Sequence, residues 1–136
     1  MGMDKLLGSC LCGTVSFEIA NGFEHFQLCH CRQCQKTTGS AHASNLFTDP
    51  SHISWLSGQG AIVRFNLPGR RISNAFCSKY GSRVPFLSLS GEILAVPAGS
   101  LDGTPSIAPQ GNIFWSERAD WYDQAAGTPR YDAFIE

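Results

Sequence analysis

Cys29-His30-Cys31-Arg32-Gln33-Cys34-Gln35-Lys36-Thr37-Thr38-Gly39-Ser40 sets three thiols within six residues and follows them with small and hydroxyl-bearing side chains. Thiols clumped this closely point to a metal, and to zinc first, because a tetrahedral site needs its sulfurs about 2.3 Å from one centre and near neighbours converge cheaply. On an extended segment Cys29 and Cys31 share a face, and Cys31 and Cys34 become i, i+3 neighbours if the chain turns helical after Cys31. A strand-to-helix junction therefore aims all three sulfurs at one point. Gly39 is placed to end that short helix. His30 would point away from the face that Cys29 and Cys31 share, and is read as a packing or supporting residue rather than a ligand.

The run offers no fourth ligand, which leaves two readings open. Three protein ligands with one free position is the arrangement of a reactive zinc; a fourth Cys or His from elsewhere would make the site closed and structural. A disulfide is disfavoured, since the cysteines are clumped and no secretory context supports oxidation.

Outward from this stretch the chain reads as mainly β. Thr14 to Ile19 alternates so that Val15, Phe17 and Ile19 share a buried face, Asn21-Gly22 marks a turn, and Phe26-Gln27-Leu28 carries a second strand into the cysteines. Runs over Ala43–Phe47, Ile53–Leu56, Ile62–Leu67, Ile72–Phe76, Arg83–Leu89 and Glu92–Val96 follow, separated by Gly, Pro and Ser turn signals. That spacing predicts short antiparallel strands in a sandwich or barrel. Val63, Phe65 and Leu67 share a face opposite Arg64 and Asn66, so one side of their strand is expected in solvent. Residues 97 to 111 read as a loop, and the bulk of Ile113-Phe114-Trp115 and Trp121-Tyr122 beyond it calls for cover.

The remaining cysteines are Cys10 and Cys12, in Gly8-Ser9-Cys10-Leu11-Cys12-Gly13, and Cys77, in Phe76-Cys77-Ser78-Lys79-Tyr80-Gly81-Ser82. If Cys77 joins Cys10 and Cys12, the chain holds two three-thiolate groups with no cysteine to spare. At 136 residues it is read as one domain spanning 1–136, large enough for a core without disulfides. A formal charge of −1 with no Lys/Arg run argues against nucleic acid, although Arg70-Arg71 and Lys79 with Arg83 suit a small anion. No run is long and apolar enough for a membrane span, and the start lacks the apolar core of an export signal. Leu7-Gly8-Ser9-Cys10 imitates a lipoprotein cleavage site with too few apolar residues before it, and Leu6 stands where a myristoylation signal wants Ser or Thr. The expected setting is cytoplasmic and reducing.

The ordered C-x-C, C-x-C-x-x-C and C-x-x-C-like series, with Gly81-Ser82, Ala98-Gly99-Ser100-Leu101-Asp102, Trp121 and Pro129-Arg130-Tyr131-Asp132, resembles the family of glutathione-dependent formaldehyde-activating enzymes, which includes the centromere-protein-V domain. The resemblance runs nearly end to end. It implies a β-rich zinc fold similar to that of type B methionine sulfoxide reductases and a zinc-bearing Rab-binding chaperone. It also implies Cys29, Cys31 and Cys34 as ligands of a catalytic zinc, and Cys10, Cys12 and Cys77 as three of four structural ligands. Tyr80 stands where the family pattern has the fourth structural cysteine. A phenol with a pKa of about 10 is a poor zinc ligand. Either tyrosine or water completes that site, or it holds metal weakly, or Tyr80 packs into a metal-free site; one or two zinc per chain are expected.

Three thiolates around zinc carry net charge −1, which disfavours hydrolysis and suits an incoming fourth sulfur. The resemblance implies that this sulfur belongs to glutathione or a similar small thiol and that the partner is a small aldehyde, formaldehyde in the family. The activity so implied is that of a carbon-sulfur lyase, joining or cleaving the adduct. The alternatives are a glutathione-binding carrier without turnover and a zinc-scaffolded interaction module. A methionine sulfoxide reductase would need a nucleophilic cysteine beyond the metal ligands. Arg32, Lys36, Thr37, Thr38, Gly39 and Ser40 adjoin the ligands and are the candidate thiol-binding residues.

Overall fold

The computed structural model describes residues 4–135; Met1, Gly2 and Met3, on which the reading of the chain's start partly rests, lie outside it with Glu136. In chain order the described strands are β1 (Lys5–Ser9), β2 (Ser16–Ala20), β3 (His25–Cys29), β4 (Ala43–Thr48), β5 (Ile53–Ser57), β6 (Ile62–Asn66), β7 (Ser73–Cys77), β8 (Phe86–Leu87), β9 (Leu94–Pro97) and β10 (Gly111–Ile113). Helix α1 (Arg32–Thr38) lies between β3 and β4, and α2 (Tyr122–Ala125) follows β10. The fold is mainly β, as the spacing of turn signals predicts. None of the described helices is long and apolar enough to cross a membrane.

The strands form a three-stranded sheet in the order β1-β2-β5, a five-stranded sheet in the order β10-β3-β4-β9-β8, and a β6-β7 ribbon. Alternation along β2 buries Phe17 and Ile19 completely. They meet Phe26 of β3, Leu46 of β4, and Leu94 and Val96 of β9, so the first two sheets face each other across one apolar cluster. Each such side chain taken out of water contributes roughly 2 kcal/mol. A second cluster joins Val15, Ala75 and Val84 to Cys10 and Cys77, and Trp55 packs on both clusters. Sulfur of the first cysteine group is thus part of the packing at the base of the ribbon.

Three expectations are corrected. The strand expected over Arg83–Leu89 shrinks to Phe86–Leu87, with only an isolated bridge from Arg83 to Phe76, because Pro85 has no N–H to give a ladder. β10 forms where no strand is expected and pairs in parallel with β3, while the other strand pairs among the described residues are antiparallel. The apolar face of β6 is not covered: Val63, Phe65 and Leu67 are all exposed, as are Phe114, Trp115 and Trp121 farther on.

Gly58 fixes how β5 leaves β2. It adopts φ +70, and a Cβ there would run into the Thr14 carbonyl oxygen, a neighbour that cannot give way. Gly58→Ala is expected to cost at least about 2 kcal/mol, read as a shift of the urea midpoint at unchanged slope; wild-type stability would show that the approach is not tight.

Candidate metal centre

Cys29 is the last residue of β3, in mid-sheet, with Ala43 of β4 opposite it on one side and Ile113 of β10 on the other. Its position is therefore set by two ladders. The chain then leaves the sheet: His30 N–H donates to the Ile113 carbonyl, and Cys31 takes an extended conformation (φ −65, ψ 153) as the N-cap of α1. Its sulfur accepts the Cys34 N–H at 3.3 Å, the job that an Asn, Asp or Ser oxygen usually does at a helix start. One turn on, Cys34 returns to the same side. The outcome is that the sulfurs of Cys29, Cys31 and Cys34 lie within 4.8 Å of one another, as the C-x-C-x-x-C spacing predicts.

The helix start is tied down by the C-terminal part of the chain. Glu117 Oε1 accepts the Arg32 N–H at 3.1 Å, and Gln35 Nε2 donates to the carbonyls of His30 and Glu117. His30 is fully buried, donates or accepts at Nε2 with Asn112 Oδ1 at 2.8 Å, and stacks edge-on with Trp115 and Tyr122. It is a packing residue beneath the junction and is not one of the converging ligands, as its position between two cysteines predicts. Gly39, at φ +67, closes α1 by donating its N–H to the Gln35 carbonyl.

Cys10, Cys12 and Cys77 form a second triad, also within 4.8 Å, with Cys10 and Cys12 sulfurs 3.3 Å apart and those of Cys12 and Cys77 3.7 Å apart. Tetrahedral zinc with sulfur at about 2.3 Å would set its ligands roughly 3.8 Å apart, close to the second distance. The Val15 N–H donates to Cys10 sulfur at 3.3 Å, which favours the thiolate form. Tyr80 does not pack into this triad; it is 63% exposed.

The donor chemistry of both triads fits zinc. All six cysteines are free, and three soft sulfurs on one point are the ligands that zinc prefers. In the 29/31/34 triad burial, then contact with the other two thiols, pushes Cys34 far up, and burial raises Cys29. Cys29 and Cys34 ionise together only when a cation repays the desolvation and mutual repulsion.

Two neighbouring cavities lie between the triads, one lined by Cys31 and Cys34 and the other by Cys10. One, of about 540 Å³, reaches Cys31 and Cys34 and is walled by Phe47, Ile72, Phe86, Leu89, Ile93 and Phe114, with Arg71 and Arg83 supplying charge. The other, of about 770 Å³, is rich in hydroxyls, among them Ser9, Thr37, Thr38, Ser44, Ser82 and Ser100. Asn45 and Arg83 line both and mark where they meet. Arg83 is braced by Asn74 Oδ1 at 2.8 Å and the Ser73 carbonyl at 3.2 Å, with its guanidinium 5.1 Å from the Phe86 ring centre. Burial lowers its pKa and nearby Cys34 opposes that shift. Among the described residues neither Arg71 nor Arg83 has a carboxylate partner; the ion pairs are Lys5–Glu18 and Arg118–Asp123. Asn45 Oδ1 and Gln33 Oε1 are buried acceptors without a donor among the described residues.

Of the thiol-binding residues expected from the sequence, Arg32 and Lys36 are exposed and line neither cavity. Thr37 and Thr38 line the hydroxyl-rich one, although their hydroxyls donate back to the Gln33 and Cys34 carbonyls, and Ser40 N–H donates to Thr38 Oγ1. Arg71 and Arg83 were visible in the sequence only as charges suited to an anion. Asn45, Phe47, Phe86 and Phe114 carried no signal, because their nearness to the thiols is created by strand pairing and by the loops.

The model of the glutathione-dependent formaldehyde-activating enzyme family matches residues 5–117, a span that contains both triads. No curated protein matches the chain. A crystal structure of a Rhodobacter sphaeroides protein is similar, with a TM-score of 0.62 and 22% identity over 78% of this chain and 98% of that one, a likeness of fold.

The triads differ in exposure, and this predicts their reactivity once metal is stripped. Cys12 is exposed, and hydrogen bonding with Thr14 brings its pKa down to about 6, whereas burial raises Cys10, Cys29 and Cys34. At pH 7 Cys12 is then mainly thiolate and those three are protonated. In chelator, iodoacetamide is expected to label Cys12 at least about ten times faster than Cys10, Cys29 or Cys34, resolved by peptide mass spectrometry; uniform labelling would contradict the burial argument.

Proposed function

Because the chain belongs to the glutathione-dependent formaldehyde-activating enzyme family, we propose that its 1–136 span works as one zinc-containing domain that joins glutathione, or a similar small thiol, to an aldehyde and cleaves the adduct. The observation that carries this reading is the convergence of Cys29, Cys31 and Cys34 sulfurs beside a cavity into which Cys31 and Cys34 open. Cys29, Cys31 and Cys34 would hold the reactive zinc, and Cys10, Cys12 and Cys77 a structural one. When bound, zinc with three thiolate ligands supplies a place for a fourth sulfur and lowers that thiol's pKa below its free value of about 8.5.

The protein's own groups do the rest. Arg83, braced by Asn74 and lacking a carboxylate partner, is suited to a carboxylate of the thiol, with Arg71 as a second cation at the cavity wall. The unpaired oxygens of Asn45 and Gln33 suit N–H or O–H donors of the ligand, which would remove the cost of leaving them buried and unsatisfied. Thr37 and Thr38 line the neighbouring trough with their hydroxyls bonded to the Gln33 and Cys34 carbonyls, whereas Gly39 and Ser40 line neither cavity. In the joining direction the sulfur forms a bond to the carbonyl carbon, the C=O π pair moves to oxygen, and oxygen takes up the proton that the thiol gave up. Cleavage runs the same path backwards. Holding the two reactants together contributes most of the acceleration expected, since little else is needed for an addition this easy.

A second reading has an observation of its own. Besides the two thiols, the ionisable groups lining the 540 Å³ cavity are the guanidiniums of Arg71 and Arg83, with no His, Asp, Glu, Lys or Tyr among the described lining residues to pass a proton. That suits a carrier that holds the thiol without turnover.

Exchange spectroscopy on the glutathione and formaldehyde adduct separates the two. Acceleration by the zinc-loaded protein is expected, and its loss in Cys34→Ser together with about one zinc per chain; tight binding without acceleration would leave the carrier. Arg83→Ala is expected to raise the glutathione Kd about tenfold or more, the loss of a charged hydrogen bond, at unchanged zinc content; an unchanged Kd would remove Arg83 from the site.

A further inference from the structure

Formaldehyde is too small to account for the cavity beside the thiols. Its adduct adds one carbon and one hydroxyl to the sulfur, and glutathione itself is charged and polar. Yet the 540 Å³ space that Cys31 and Cys34 open into is walled by Phe47, Ile72, Phe86, Leu89, Ile93 and Phe114. The polar part of a peptide thiol has a better place across the Asn45–Arg83 divide, in the trough lined by serine and threonine hydroxyls. Polar and apolar space therefore adjoin at Asn45 and Arg83, and Cys31 and Cys34 line the apolar one. Phe114 adds a second sign: it is the one non-glycine residue at positive φ (55) among those described, and it lines the apolar side. Strain of that kind persists where the surroundings enforce it, commonly beside a bound ligand.

We propose that the natural adduct carries an apolar substituent of about hexyl or benzyl size on the aldehyde carbon, seated between Phe86, Leu89, Ile93 and Phe114. This rests on the reading of Cys29, Cys31 and Cys34 as the centre that receives a thiol. The bonds made and broken are those of the formaldehyde reaction: carbon joins sulfur, the C=O π pair goes to oxygen, and the proton passes from the thiol to that oxygen. The substituent takes no part beyond burying its surface. A small molecule fits this wall better than a second protein does, because the wall belongs to a cavity of about 540 Å³ that Cys31, Cys34 and Arg83 also line.

The test is calorimetric titration of the zinc-loaded protein with S-methylglutathione and S-hexylglutathione, stable thioethers that differ only in apolar length. S-hexylglutathione is expected to bind about tenfold tighter or more, from the methylenes it buries. The double variant Leu89→Ser with Ile93→Ser is expected to cut the ratio to about threefold or less at unchanged zinc content. Both positions are about half exposed, at 54% and 47%, so the fold tolerates the change. Equal affinity for the two thioethers, or a ratio untouched by the double variant, would overturn the substrate class while leaving the thiol reading intact. A double variant that changes the sedimentation of the protein and not the ratio would overturn it in favour of a second copy on this wall. Failure of both thioethers and of glutathione itself to bind would overturn the thiol reading and this inference with it.

Discussion

Three sulfur atoms brought to one point are unstable company unless a cation joins them, and the region around α1 is built to accept that condition. Cys29 is pinned by strands on both sides, Cys31 is turned by its role at the helix start, and Cys34 follows one helical turn later. None of the three can withdraw without breaking a ladder or a cap. Burial then raises the cost of ionising Cys29 and Cys34 in the metal-free protein. Metal binding and local structure are thereby coupled, since the same backbone bonds that hold the sulfurs together are worth most when a cation is there.

The C-terminal segment is what keeps this junction closed. β10 lends its Ile113 carbonyl to His30, Asn112 engages the His30 ring, and Glu117 meets the helix through both its carboxylate and its carbonyl. Trp115 and Tyr122 pack around His30. A segment that reads in the sequence as apolar bulk in need of cover proves to be cover itself, for a histidine lodged between two cysteines. The parallel pairing of β10 with β3 follows from this task, because it delivers residues 112 to 122 to the start of α1.

Much of this was legible in the residues. Period-two alternation gave β2 its buried face, turn residues divided the strands, and thiol spacing grouped Cys29, Cys31 and Cys34, while the placing of Cys77 with Cys10 and Cys12 came from the family resemblance. What stayed hidden depends on long-range placement. Arg83 comes beside Cys31 and Cys34 across a long sequence separation, with Val84 and Pro85 buried next to it in the chain. Phe86, Leu89 and Ile93 read as strand residues, but only Phe86 stays in a strand, and Leu89 and Ile93 lie in the turn between β8 and β9, where they join it in one wall. Arg32 and Lys36, next to the ligands in sequence, point into solvent, because neighbours along a helix face different ways.

The account stands on the claim that the metal at Cys29, Cys31 and Cys34 has room for one more sulfur, from outside the chain. Cadmium NMR of the cadmium-substituted protein tests this directly, since the resonance of a thiolate-bound cadmium moves downfield as sulfur ligands are added. One resonance, the one lost in Cys34→Ser, should move downfield on addition of glutathione while any other stays in place. A spectrum in which that resonance does not respond to glutathione, or in which only the metal at Cys10, Cys12 and Cys77 responds, would contradict it.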